Sequence, residues 1–291
     1  MEKSRITDLN DRGAPAACSV LIATYNRPGS LRLILRALNI QTVRNFEVVI
    51  CDDGSTPGTL EMVHSICGSL NYDVRYVWQE DKGFRKAMTL NRGILAARTD
   101  YLLFLDDDCL PHSRYVEGHL RRQSPGCLVF GKFVKIGSAL VGAITEEVIQ
   151  RKGLEAPPFF TPKKKMDLAL NRLRFYKHLV QRNPLRPKLY GANFAVDKAS
   201  LYNVNGFNEA FEGWGYEDNE LRLRLVNSGV KIKEAITAAV VFHLDLREDR
   251  KKAQYLTGQS NKDLFLEQRQ SKWAARGLSD HPTAWGSQSN G

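Results

Sequence analysis

The sequence predicts an α/β fold with a mostly parallel central sheet flanked by helices. Three observations carry this. Short, nearly all-apolar runs alternate with amphipathic helical patterns between residues 17 and 110. Three of the four runs end in polar turns, TYNRPG, DDGS and DDD. No apolar run reaches the ~18–20 residues of a membrane-spanning helix.

The elements follow in order. Residues 1–16 read as a mobile leader. Ser19–Ala23 is a strand, and Leu31, Ile34, Leu35 and Leu38 recur at helical spacing behind it. Phe46–Cys51 is a second strand, ending in Asp52-Asp53-Gly54-Ser55. A helix over 57–69 is apolar at Leu60, Val63 and Cys67. Val74–Trp78 is a third strand, and Ala87, Leu90, Ile94 and Ala97 mark the next helix. Tyr101–Leu105 is a fourth strand and runs into Asp106-Asp107-Asp108. Parallel strands finish on one side, and ligands bind beyond their carboxyl ends, so the three polar turns should share a rim.

Beyond residue 130 the pattern weakens. Five prolines and Lys163-Lys164-Lys165 mark 137–188 as a partly mobile basic insertion, with a helix at 166–181. Order returns at Tyr190–Val196. Phe207–Asp218 (FNEAFEGWGYED) leads into a helix at 218–228, and a strand over Ala238–Phe242 delivers His243. The tail, 247–291, is polar with candidate helices and a disordered-looking SQSNG end. The boundaries that follow are 17–246 for one catalytic domain, with a first half over 17–125 and a second over 126–246.

With 291 residues, 43% hydrophobic and 25% charged, the chain can build a core without metal or disulfide. The five cysteines form no CxxC pair and read as buried free thiols, which suits a reducing cytoplasm. The N-terminus has no apolar h-region, so no secretory signal is expected. The net charge is +10, and residues 121–188, with 15 Lys/Arg against 4 Asp/Glu, carry the whole excess. Such a patch attracts phosphates on anionic lipid, glycan or nucleic acid, or is simply a solvated face. GxGxxG after the first strand and GxxxxGK[ST] are both absent, which removes the main support for a dehydrogenase or a P-loop NTPase.

Asp106-Asp107-Asp108 is the sharpest chemical signal. Three adjacent carboxylates after a buried strand repel unless a cation or hydrogen-bond donors compensate. Hard oxygen ligands suit Mg²⁺ or Mn²⁺; the bland alternative is an acidic turn capping the next helix. Asp53 can accept a hydrogen bond from a base or sugar, or serve an ordinary Asp-Gly turn. Glu217-Asp218 either complements a helix dipole or supplies a general base, and Trp214 is either core or a sugar platform. His243 reads on spacing alone as a structural residue, with metal ligation the sharper alternative.

Together SVLIATYNRP, VVICDDGS, EDKGFRKAMTLNRGILAARTDYLLFLDDDCLP and GFNEAFEGWGYEDNELRLRL resemble family 2 glycosyltransferases of the GT-A fold, over about residues 18–246. The nearest resemblance is to bacterial chondroitin-polymerase or galactosyltransferase-type enzymes with a GWGxED motif. It implies a UDP-sugar donor, a glycan or glycolipid acceptor, and Mn²⁺ or Mg²⁺. It also implies roles for single residues. Thr24, Arg27, Asp53 and Arg85 would line the nucleotide, with Asp106 and Asp107 beside it. Asp108, His243 and Asp106 would hold the metal, which reverses the reading of His243 from spacing. Asp218 would be the catalytic base, with Glu217 beside it and Trp214 bordering the sugars.

Asp81 and Tyr216 depart from the family, where Asn and Gly are frequent. QRQSKW at 268–273 departs from the Q-x-x-R-W signature of processive synthases. The expected setting is cytoplasmic, with peripheral contact to the anionic inner face of the plasma membrane. Alternatives are a sugar-phosphate nucleotidyltransferase or a non-catalytic glycan- or nucleic-acid-binding module. The last would stack bases on Phe130, Phe133, Phe159, Phe160, Phe175 and Tyr176, but no recognised nucleic-acid motif is present and no nucleic-acid partner is expected.

Overall fold

The sheet has an edge strand that apolar patterning does not announce. Ser4–Asn10 form β1, half-buried, inside the segment expected to be a mobile leader. The computed structural model describes residues 3–13, 15–181, 186–246 and 260–281. β1 is followed by β2 (Ser19–Thr24), α1 (Pro28–Asn39), β3 (Glu47–Asp52), α2 (Pro57–Cys67), β4 (Asp73–Gln79), α3 (Lys86–Ala96) and β5 (Tyr101–Asp106). Next come β6 (Cys109–Pro111), α4 (Tyr115–Leu120), β7 (Cys127–Phe130), β8 (Lys132–Ile136), α5 (Ser138–Val141), α6 (Glu146–Gln150) and α7 (Pro162–Val180). The last are β9 (Asn193–Asp197), α8 (Lys198–Tyr202), α9 (Glu217–Asn227), β10 (Lys231–Glu234) and β11 (Val240–Leu244).

Eight strands form the main sheet in the order β1-β4-β3-β2-β5-β9-β7-β10. β4, β3, β2 and β5 are parallel, as predicted. β2 and β3 are buried along their whole length, which explains their continuous apolar reading. β1 runs antiparallel to β4 and covers that edge. β9 enters antiparallel between β5 and β7, with Phe194 stacked on Phe104 at 4.4 Å. A second sheet, β6-β11-β8, carries the strand that ends near His243. That strand starts at Val240 rather than Ala238.

Helix starts follow local chemistry. Pro28 and Pro57 open α1 and α2, where a missing N–H costs nothing. α1 buries Leu31, Ile34, Leu35 and Leu38 on one face. Thr161 caps α7 by accepting from Lys164 N at 3.4 Å. The 137–188 segment holds α5, α6 and α7, and the helix expected at 166–181 is α7, which starts earlier, at Pro162. Phe130, Phe159, Phe160 and Phe175 are core residues, each no more than 8% exposed, and offer no stacking surface to bases. All five cysteines are buried and free.

The tail carries a helix, as its reading allowed, and packs on the rest of the chain. Residues 260–267 are helical, and Phe265 packs with Phe211 and Leu223. Ala274 O accepts from Asn205 Nδ2 at 2.8 Å, and His281 Nε2 meets Glu209 Oε1 at 2.5 Å. Its SQSNG end lies outside the described residues. Among the described residues no helix is long and apolar enough to cross a membrane.

Candidate active site

Strand register fixes the rim. Thr24 pairs with Asp52, and Ala23 with Asp106, so three polar turns leave the sheet side by side. Side chains lace them together. Thr24 Oγ1 donates to Asp107 Oδ2 at 2.8 Å, and Arg27 Nη1 meets Asp107 Oδ1 at 2.8 Å and Asp108 Oδ2 at 3.9 Å. Asn26 takes a positive φ of 51° and its Oδ1 accepts from Thr56 N at 2.9 Å. Asp107 is buried and spends both oxygens on the first turn. Burial pushes its carboxyl up to about 6, against the pull of Arg27.

Asp53 is buried too. Its oxygens accept from Gln79 Nε2 and from Arg85 N, both at 2.6 Å. Burial lifts it to about 6 despite these donors. Asp52 serves the turn itself, accepting from Gly54 N and Ser55 N and from the Tyr76 hydroxyl. Gly54 is required, because a Cβ there would stand 2.5 Å from Asp81 Cα and its φ is +98°. Asp81, the first family departure, accepts from Tyr25 Oη at 2.9 Å and from Gly83 N at 3.0 Å, so it braces the loop. Arg85 is buried, and its guanidinium donates to Glu80 O.

The next residue, Lys86, is the one the sequence reading missed. Its Nζ lies 2.7 Å from Asp106 Oδ1 and 3.8 Å from Glu217 Oε1. Burial opposes its charge, but Asp106, Asp218 and Glu217 outweigh burial and raise it well above the usual lysine value. The sequence signal was one cation at the start of α3, with no local acid to pair it.

Glu217 and Asp218 open α9. Arg224, fully buried, holds that helix through Glu220 at 2.6 and 2.7 Å and through Gly206 O at 2.7 Å. Asp218 Oδ2 accepts from Gly191 N at 2.8 Å, while its Oδ1 has no hydrogen-bond partner among the described residues. Burial pushes Asp218 up to about 7; Lys86 opposes this, and Glu217 and Asp106 add to it. Burial raises Glu217 as well. Tyr216, the second departure, has a φ of 74°, where glycine is the easy residue, and its ring packs on Phe265 at 5.2 Å. Trp214 is 51% exposed on a turn tied down by Gly213 N to Phe84 O at 2.9 Å. Asn261 Nδ2 holds the same turn through Glu212 O and Gly215 O, at 3.1 and 3.2 Å.

His243 and Asp108 come together across the second sheet. His243 pairs with Cys109 in the β11–β6 ladder, and its Nε2 lies 3.6 Å from Asp108 Oδ2. Two donors on one small divalent ion, each ~2.1 Å away, lie at most ~4.2 Å apart, so the pair fits such an ion. Carboxylate and imidazole suit Mn²⁺ or Mg²⁺. The Cys109 ligand atom falls in the same cluster, but burial raises its thiol far above its ordinary value and it donates to Asp108 Oδ1 at 3.2 Å. It is therefore a poor ligand. Asp106, expected as a third ligand, is instead engaged by Lys86, which also reaches Glu217, and it falls outside the Asp108–Cys109–His243 cluster.

The chain is similar to known proteins in sequence and in fold. Residues 19–201 match Glycosyl transferase family 2, and residues 175–244 match the N-terminal domain of galactosyltransferase. The chain is 34% identical over 235 residues to validoxylamine A glucosyltransferase of Streptomyces hygroscopicus subsp. jinggangensis, covering 73% of this chain and 52% of that one. It is 28% identical over 239 residues to chondroitin synthase of Escherichia coli, covering 77% and 34%. The chain thus spans about half the length, or less, of these curated relatives. Among solved structures, S. aureus TarS 1-349 in complex with UDP-GlcNAc superposes with a TM-score of 0.60 at 17% identity, covering 91% of this chain and 69% of that one. Mannosyltransferase PcManGT from Pyrobaculum calidifontis, in complex with GDP-Man and Mn²⁺, superposes at 0.56 and 16% identity, covering 88% and 64%. With the acids converging on one rim of a mostly parallel sheet, the chain belongs to glycosyl transferase family 2 and has the GT-A fold.

Proposed function

We propose that this chain transfers a hexose or N-acetylhexosamine from a UDP-sugar to a hydroxyl of a bacterial surface glycan, such as a lipopolysaccharide core or capsule, with inversion. The observation that carries the reading is Asp218, oriented through one oxygen by Gly191, with its other oxygen buried and unpartnered among the described residues, beside Lys86, Glu217 and Asp106. In the transfer step Asp218 takes the proton from the acceptor hydroxyl. The hydroxyl oxygen bonds to the anomeric carbon from the face opposite the leaving group. The bond from that carbon to the diphosphate oxygen breaks, and its electron pair leaves with the nucleotide. Thr24, Arg27 and Asp53 form the nucleotide wall, with Arg85 bracing it, and Trp214 offers a face to a sugar ring. Asp108 and His243 would hold a divalent cation, which when bound would neutralise charge on the departing diphosphate.

Lys132 favours an acceptor that itself carries negative charge. Its Nζ sits 4.1 Å from the Tyr190 ring centroid and 5.2 Å from that of Phe133, whose ring is 5.1 Å from His243. Burial, with Lys135 and Arg174 adding to it, lowers Lys132 to about 8. A carboxylate or phosphate on the acceptor would relieve this crowding of cations. A cytoplasmic setting with peripheral contact to anionic membrane belongs to the same reading.

The test is a thermal-shift panel of nucleotide sugars with and without Mn²⁺ or Mg²⁺, followed by transfer assays. A UDP-sugar should raise Tm in a metal-dependent way, and excess EDTA should abolish transfer. A shift by GDP-sugars alone would overturn the donor, and full turnover in EDTA would overturn the metal role.

A further inference from the structure

We propose that α7 docks on an anionic lipid surface, lying in the plane of the bilayer with Met166, Leu170, Leu173 and Val180 at the boundary between headgroups and acyl chains. The inference deepens the membrane contact proposed above by naming the surface that makes it, and it does not depend on the transfer chemistry. At ~100° per residue, Leu168, Phe175 and Leu179 fall on one side of the helix, and these four residues fall on the opposite side. Leu168 and Phe175 are each 4% exposed and join the core. Met166, Leu170, Leu173 and Val180 are 62%, 41%, 67% and 83% exposed. A helix packed against a protein core ordinarily turns charge, not a second apolar stripe, to water.

The stripe has cationic borders. Lys163 and Arg174 lie along one edge, Lys165 along the other, and Lys177 stands within it near the end of the helix; all four are exposed. The helix holds six Lys/Arg and one acid, Asp167. Its inner side is firmly attached. Arg172 Nε meets Glu234 Oε1 at 2.7 Å, Tyr176 Oη donates to the same oxygen at 3.1 Å, and Phe175 packs on Phe130 at 5.6 Å. The outer stripe is therefore a fixed surface.

Charge complementarity selects the occupant. Apolar side chains edged by Lys and Arg suit the junction of acyl chains with anionic headgroups. A second copy of the helix would bring cations against cations. A soluble polyanion would satisfy the charges and leave four apolar side chains in water.

The experiment is co-sedimentation of the full chain with phosphatidylcholine vesicles, with and without phosphatidylglycerol, at low salt. Two double variants accompany it: Leu170→Asp with Leu173→Asp, and Arg174→Ser with Lys177→Ser. Circular dichroism and Tm verify that both remain folded. The wild type should sediment with phosphatidylglycerol vesicles and not with phosphatidylcholine alone. Each double variant should bind about tenfold more weakly, because both apolar insertion and charge contribute. Three results would overturn the proposal. They are no binding to anionic vesicles, undiminished binding by the Leu variant, and a wild-type dimer that the Leu variant turns into monomer.

Discussion

The backbone N–H of Gly191 donates to Asp218 Oδ2 at 2.8 Å, and a Cβ at Gly191 would stand 2.4 Å from that same oxygen. One residue thus orients the proposed base and leaves room for it. Gly191→Ala should push the carboxylate aside. A displacement of this size at a reacting group lowers kcat by about a hundredfold. Donor binding, read by thermal shift, should stay within twofold of wild type. Unchanged kcat would separate Asp218 from the chemistry.

Asp218 must be a carboxylate to accept a proton, and burial pushes it up to about 7. Transfer should therefore rise with pH, about tenfold per unit below 7, and level off above it. Asp218→Asn should keep donor binding and lose about a thousandfold or more in kcat. The stability sign follows from the same shift. A raised carboxyl favours folding in its neutral form, and that contribution is lost as pH climbs from about 4 through about 7. Asp218→Asn should therefore raise Tm relative to wild type more at pH 8 than at pH 5. The reverse order would mean that the native site prefers the charged acid.

Lys86 holds Asp218 down against burial and its acidic neighbours. In Lys86→Met the acid limb of the pH profile should move to higher pH, with about a tenfold loss of kcat at pH 7 that is recovered in alkali. A uniform loss at every pH would make Lys86 a structural residue.

Tyr216 sits at a φ of 74° with its ring on Phe265. That conformation costs a non-glycine residue about 1–2 kcal/mol. Phe265→Ala should destabilise by about 3 kcal/mol. Tyr216→Gly should be near neutral alone, because relief of strain offsets lost packing. In the Phe265→Ala background it should stabilise by about 1 kcal/mol, measured by denaturant unfolding. Strict additivity would show that Phe265 does not hold Tyr216 in place.

Much of this was legible in the chain itself. β2, β3 and β5 announced themselves because strands buried on both faces must be apolar throughout, and β4 through the buried Val74, Tyr76 and Val77 of a strand only partly covered. Their polar ends named the rim, and Asp108, His243 and Asp218 were all candidates. The DDD triplet did not reveal that its members diverge. Asp107 turns inward to Thr24 and Arg27, Asp106 meets Lys86, and Asp108 faces His243. β1 was hidden, since a half-buried edge strand has little apolar signal. The tail was hidden as well, because Phe265 and Asn261 act on residues far from them in sequence.

The sequence by itself determined the parallel nucleus, the helices around it and the stock of acids, because local periodicity and turn chemistry are properties of neighbours along the chain. Only the tertiary structure decided which acid faces which cation, that Lys86 enters the acidic cluster, that Tyr216 is held at a positive φ, and that α7 carries a second apolar side. Those outcomes depend on contacts between distant segments, whose burial and charge pairing come into being only when the sheet, α9 and the tail pack together.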